Sequence, residues 1–201
     1  MKNKKTHMVT RLTAVAAVVA AVLSPVAASA VTANTTINAT VGATISMTTS
    51  TTVAIGVTPT APGSMSSSSD AVSVSTNNAL GFTLSLADTD ATTTLVSGGN
   101  TFVADAGTQA SPTASLTNNR WGYRVDSIGG FGAGATTTET NVASSAFSWA
   151  GVPATGSPNT IKTTATTASN NITTVWYGVK ADTTKPNGVY TDSVTYTATT
   201  N

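Results

Sequence analysis

Eight acidic residues and one histidine make up the carboxylate and imidazole inventory of this 201-residue chain. The histidine, His7, lies in a basic N-terminal stretch that reads as an export signal. The processed chain would then have no imidazole for general-base catalysis, a Ser-His-Asp triad or metal ligation. Glu139 is the only glutamate. Two aspartates can suffice for glycoside hydrolysis. The nearest pair, Asp88 and Asp90, lies two residues apart, on one face of an extended segment. A solvated turn is the plainer reading of that pair. Asp88, Asp90 or Asp105 could hold Ca²⁺ together with loop carbonyls, because a hard cation needs only oxygen. No known calcium-loop spacing is present. Cysteine is absent, which removes thiolate metal sites and disulfides. The expectation is a protein with no catalytic residues and no resident cofactor, and not an enzyme.

Binding chemistry is the next possibility to weigh. Trp121, Trp149 and Trp176 could form a glycan-contact platform, since an indole offers a large face with a polar edge. All three sit beside alternating apolar residues, which favours packing in a core. Asn34, Asn38 and Asn171 head Asn-x-Thr triplets, matches that chance supplies in a chain so rich in Asn and Thr. A Lys–Asn isopeptide cross-link, with Glu139 or an aspartate handling the proton, would suit a chain without cysteine. No motif marks one.

Residues 1–30 contain Lys2, Lys4, Lys5 and Arg11, an apolar run from Ala14 to Leu23, and the small residues Ala28-Ser29-Ala30. Charge, a short apolar helix and a small-residue site make up a cleavable secretory signal, and the apolar run is too short to span a bilayer. Cleavage after Ala30 leaves Val31 to Asn201 as a single domain. It also removes four of the nine basic residues and no acid, so the remaining chain is net negative. Arg120, Arg124, Lys162, Lys180 and Lys185 are scattered, so no basic patch invites nucleic acid. The expected location is extracellular, at the cell surface.

The elements that must position these residues read as strands. Ile37, Ala39, Val41, Ala43, Ile45 and Met47 alternate, followed by Val53, Ile55 and Val57, which predicts two strands with a turn near Thr49 to Thr52. Prolines at 59 and 62 stop the second, and the region near 61–69, including Ser64 to Ser69, reads as a flexible connector. Asp70 to Asp88 predicts a hairpin turning at Asn77 to Gly81. Thr94 to Val96, Thr101 to Val103, Trp121 to Val125 and Thr160 to Thr164 are shorter strands, with Phe131 folded under a glycine-rich loop. At the end, Val175, Tyr177, Val179 and Ala181 alternate with Trp176, Gly178 and Lys180. A turn at Lys185 to Gly188 then leads into Tyr190, Val194, Tyr196 and Ala198, with Asp192 the one polar intrusion. The expectation is an all-β, antiparallel β-sandwich, Ig-like or pilin-like, whose core takes its bulk from aromatics that include Phe82, Tyr123, Tyr177, Tyr190 and Tyr196.

The run Val72 to Leu84, V-S-V-S-T-N-N-A-L-G-F-T-L, resembles a segment of secreted bacterial cell-surface proteins related to WxL-domain proteins. Pro186 to Tyr196, P-N-G-V-Y-T-D-S-V-T-Y, is similar to their closing strand and, more distantly, to the end of spore-coat-U-type pilin-like sandwiches. Asn119 to Tyr123 and Val175 to Val179 fit the same group. The resemblance implies an envelope protein of structural or adhesive function. Its expected partners are cell-wall components or further copies of itself, associating through edge strands. A carbohydrate-binding surface protein and an aspartate-dependent hydrolase are the competing readings.

Overall fold

The computed structural model describes residues 29–201, so the body of the expected signal peptide lies outside the described residues. Contacts divide the chain into two units, 1–41 and 42–201, and all nine strands belong to the second. In the first unit, described residues 29–41 are exposed and carry no strand.

Strands β1 (Ile45–Thr48), β2 (Ser64–Thr76), β3 (Phe82–Asp88), β4 (Thr94–Ser97), β5 (Asn100–Ala104), β6 (Arg120–Arg124), β7 (Asn159–Thr163), β8 (Ala168–Ala181) and β9 (Val194–Thr200) form two sheets. The larger runs β1-β2-β8-β6-β5-β4 and the smaller β7-β3-β9. Among the described residues there is no helix, as the sequence predicts. All pairings are antiparallel except β5–β6, where Val103 and Ala104 run parallel to Arg120 and Trp121.

The core lies between the sheets. Val72 and Val74 of β2, Tyr123 of β6, and Val175, Tyr177 and Val179 of β8 meet Phe82, Leu84 and Leu86 of β3. Inward and outward rows alternate along every long strand because successive side chains leave opposite faces. Phe82, Tyr123 and Tyr177 are buried, whereas Tyr190 and Tyr196 are only partly buried at the edge of the same cluster. Phe131 is buried as expected.

The outer face of the large sheet carries a second apolar cluster, Met65, Leu116, Trp149 and Trp176. Gly122 and Gly178 are paired across β6 and β8 on this face, under Trp149 and Ala150. A Cβ on Gly178 would stand 2.6 Å from Met65 Cε and 3.0 Å from the Trp149 ring. The glycines are therefore the floor on which the indole lies.

Several sequence expectations are corrected. Ser64 to Ser69 is the first half of β2, paired with Ala181 to Trp176, and not a connector. Its hydroxyls also serve the crossing segment above it, since Ser67 Oγ accepts from Glu139 N at 2.9 Å and Ser66 Oγ from Asn141 N at 3.0 Å. Neither expected hairpin forms. β2 and β3 lie in different sheets, as do β8 and β9, because alternation specifies a buried face and not a neighbour. Asn77 to Gly81 is instead a corner between sheets. There Gly81 has a φ of 83°, and a Cβ would meet Thr164 O at 2.4 Å. Lys185 to Gly188 belongs to a crossover loop, held where Lys185 Nζ donates to Thr101 O and Tyr190 packs edge-on against Phe102. Of the two expected N-terminal strands, only Ile45–Thr48 pairs. Val53, Ile55 and Val57 keep their alternate burial against the core without joining either sheet.

Substituting Gly178→Ala should destabilise the fold by ~1–3 kcal/mol through overpacking, and Trp149→Ala by ~3–5 kcal/mol. In Trp149→Ala the added methyl at position 178 should cost much less. Urea unfolding of the four proteins in this cycle measures that coupling.

Candidate functional site

The inward row of β3, Phe82, Leu84 and Leu86, ends in Asp88, and that of β9, read back through Ala198, Tyr196 and Val194, ends in Asp192. Asp88 pairs with Val194, and Thr89 N donates to Ser193 O at 3.0 Å, which carries the register one step past the strands. The next step sets Asp90 opposite Asp192, with Asp88 on the diagonal. Asp88 and Asp192 thus lie where the β3–β9 ladder leaves the core, with Asp90 exposed at its rim. Sequence reasoning paired Asp88 with Asp90 but missed Asp192. Its signal was the break that it makes in an otherwise apolar alternation.

Each of the three carboxylates is half-occupied. Asp88 Oδ1 accepts from Asp90 N at 3.0 Å, Asp90 Oδ1 from Thr92 N and Oγ1 at 2.6 Å each, and Asp192 Oδ1 from Ser193 N at 2.8 Å. Asp88 is completely buried, and Oδ2 of both Asp88 and Asp192 is buried without a partner. Burial raises the Asp192 carboxyl to about 6, and the Asp88 and Asp90 charges push the same way against the Ser193 amide. Asp90 is held below its ordinary range by the Thr92 hydroxyl and amide. Among the described residues, the one side-chain ion pair is Arg124–Asp126 at 3.0 Å, so no lysine or arginine neutralises this corner.

The other five acids are satisfied on both oxygens. Asp105, one of three aspartates that could by sequence hold Ca²⁺, accepts from Gly107 N, Thr113 Oγ1 and Thr117 and so ties a loop together. Glu139 accepts from Ser145 Oγ and Ala146 N and so fastens the segment that leads to Trp149. Asp126 holds Thr136 as well as Arg124, and Asp182 holds Asn118, Asn119 and Thr184. Asp70, buried on β2, accepts from Thr49 Oγ1 and Ser50 N. Burial pushes Asp70 upward, but these hydrogen bonds outweigh it and leave the carboxyl below its ordinary value. Tyr196 also lies beside this carboxylate, and its hydroxyl is 2.7 Å from that of Tyr177.

The tryptophans do not form a platform. Trp121, Trp149 and Trp176 are 4%, 0% and 9% exposed. The indole of Trp121 donates to Thr93 O at 3.1 Å and that of Trp149 to Ser145 Oγ at 2.8 Å, so their polar edges are used internally. Asn34 and Asn38 are exposed, and Asn171 lies on β8.

The other unusual surface is a sheet edge. The outer edge of β4 is occupied, because Val96 and Thr191 exchange backbone hydrogen bonds at 2.9 and 3.0 Å, and β7 carries Lys162. β9, V-T-Y-T-A-T-T, has neither proline nor charge, and among the described residues no strand pairs with it on the side away from β3. A small gap lined by Ile45, Ser46, Met47 and Ala198 separates it from β1. No family model, curated protein or solved structure matches the chain.

A depressed carboxyl stabilises the fold above its unfolded value and loses that contribution as pH falls through the folded value. Asp70 should therefore support stability above its unfolded value of about 4 and lose that contribution as the pH falls below it. Unfolding midpoints of the wild type and Asp70→Asn should converge as the acid limb is descended.

Proposed function

We propose that this chain is a secreted, non-enzymatic structural or adhesive protein of the cell surface, an Ig-like or pilin-like β-sandwich that associates with its own copies through edge strands. The observation that carries the reading is the unguarded edge of β9. Edge strands normally carry Lys, Pro or a bulge that prevents pairing with another chain, and β9 has no Lys or Pro. The gap beside it is lined by Ile45, Ser46 and Met47 of β1 and by Ala198, so an added strand would find apolar contacts as well as a ladder.

A donor of matching chemistry exists in the same sequence. Residues 31–41 alternate Ile37, Ala39 and Val41 with polar residues, and Val31, Ile37 and Val41 are 92%, 88% and 83% exposed. Apolar side chains so exposed along an uncharged segment that carries no strand suit partner binding better than solvation. The N-terminal stretch that reads as an export signal supports this location, and the envelope is where a chain of this kind would be anchored by neighbours.

The register identifies a discriminating variant. Thr89 N bonds Ser193 O and Asn201 N bonds Gly81 O, so the odd-numbered residues of β9 face β3. Val194, Tyr196 and Ala198 therefore present their amides to the open edge. Ala198→Pro removes one outward donor and leaves the β3 ladder intact. Light scattering of the processed chain should show concentration-dependent oligomers. They should be lost both in Ala198→Pro and on deletion of residues 31–41. A monomer at every concentration, or oligomers indifferent to both changes, would overturn the proposal.

A further inference from the structure

The corner built by Asp88, Asp90 and Asp192 is chemically incomplete. Five of the chain's eight acids have donors on both oxygens. The three that do not are neighbours on one ladder, brought there from segments about a hundred residues apart in sequence. Asp88 has no solvent exposure, and its Oδ2 has no partner. Asp192 Oδ2 shares that condition, and the other two such atoms in the described structure, Asn171 Oδ1 and Thr173 Oγ1, are neutral groups on β8. An unpartnered buried carboxylate costs several times more than an unpartnered hydroxyl, and a second carboxylate beside it adds repulsion.

We infer that Asp88 and Asp192, with Asp90 at the rim, bind a hard divalent cation, Ca²⁺ in particular, where the β3–β9 ladder ends. Oxygen is the only ligand type offered, which excludes the soft metals and suits Ca²⁺ or Mg²⁺. Among the described residues no three acidic or imidazole groups converge as a ready-made cage. Water and backbone oxygens therefore complete the shell, an irregular arrangement that Ca²⁺ tolerates and Mg²⁺, with its strict octahedron, does not. The ion would bridge a strand of the small sheet to the loop that enters its edge strand. It would also stand beside the Val96–Thr191 bridge, the point at which that loop is tied to the large sheet.

The test compares thermal midpoints of the processed chain after chelation, with about 5 mM Ca²⁺, the same Mg²⁺, or NaCl of equal ionic strength, a dose several times the ~0.1–1 mM range of extracellular sites. Ca²⁺ should raise the midpoint by several degrees, Mg²⁺ by less, and NaCl by little. Asp88→Asn and Asp192→Asn should lose the calcium response. Without the ion they should melt no lower than the wild type, since each removes a repulsion. Asp182→Asn, an equal change of charge elsewhere, should keep the response. The inference is overturned by an absent calcium shift in the wild type, a shift that survives both substitutions, or an Asp192→Asn protein that melts lower than the ion-free wild type. Calcium binding and oligomerisation are read separately, so either can fail without the other.

Discussion

The antiparallel ladder between β2 and β8, continuous from Ser64–Ala181 to Val74–Asn171, is the constraint on which the rest of the molecule depends. No disulfide braces this chain and charge is scarce, so order must come from backbone pairing and from packing on it. β8 sends Val175, Tyr177, Val179 and Ala181 into the space between the sheets, and Trp176 and Gly178 to the outer face, so one strand serves two apolar clusters. Where β2 and β8 are covered on both faces, from Ser64–Ala181 to Ser67–Gly178, the ladder exposes few of its hydrogen bonds to water. That protection is how a core filled largely by small side chains can still hold a single register.

The outer cluster explains why the long segment between β6 and β7 is ordered without strands of its own. Arg124, buried beneath it, pairs with Asp126 and donates to Phe131 O, Gly134 O and Thr136 Oγ1, while its guanidinium stacks over Phe131 and Phe147. A planar group with five fixed donors can fasten several passes of chain at once, which a lysine cannot. The few charges in this protein work largely as internal fasteners of loops. The three aspartates at the end of β3 and β9 stand out because each accepts only from donors within two residues of itself and ties down no distant segment.

The residue pattern made faces legible and left neighbours illegible. The alternation around Tyr177 and Tyr196 correctly marks two inward rows. Those rows face each other across the core, and their tyrosine hydroxyls touch, where the sequence suggested strands lying side by side. A period of two is the same for a hairpin and for two strands in opposed sheets, so only long-range pairing could separate them. β4 and β5 were legible as two short strands, and Gly98-Gly99 closes them into a hairpin. Of the candidate sites, Asp88 and Asp90 were visible as an i, i+2 pair. Asp192 was visible only as an interruption, since the register that brings it to Asp88 is set a hundred residues away. The tryptophans leaned toward a core in sequence, because all three sit beside alternating apolar residues, although an indole can also serve a binding face. The glycines at 122 and 178, which make room for Trp149, decide the matter for that ring.

The serine run at the start of β2 carries a last implication. By composition it looks like the kind of low-complexity tract that lengthens and shortens freely over evolutionary time. Within the ladder its length is fixed even where its letters are not. Gain or loss of one serine would turn Asp70, Val72 and Val74 to the opposite face and bring their polar neighbours inward. Such a tract should drift among small hydroxylic residues while resisting insertion and deletion, a spacer measured in residue count and nearly indifferent to spelling.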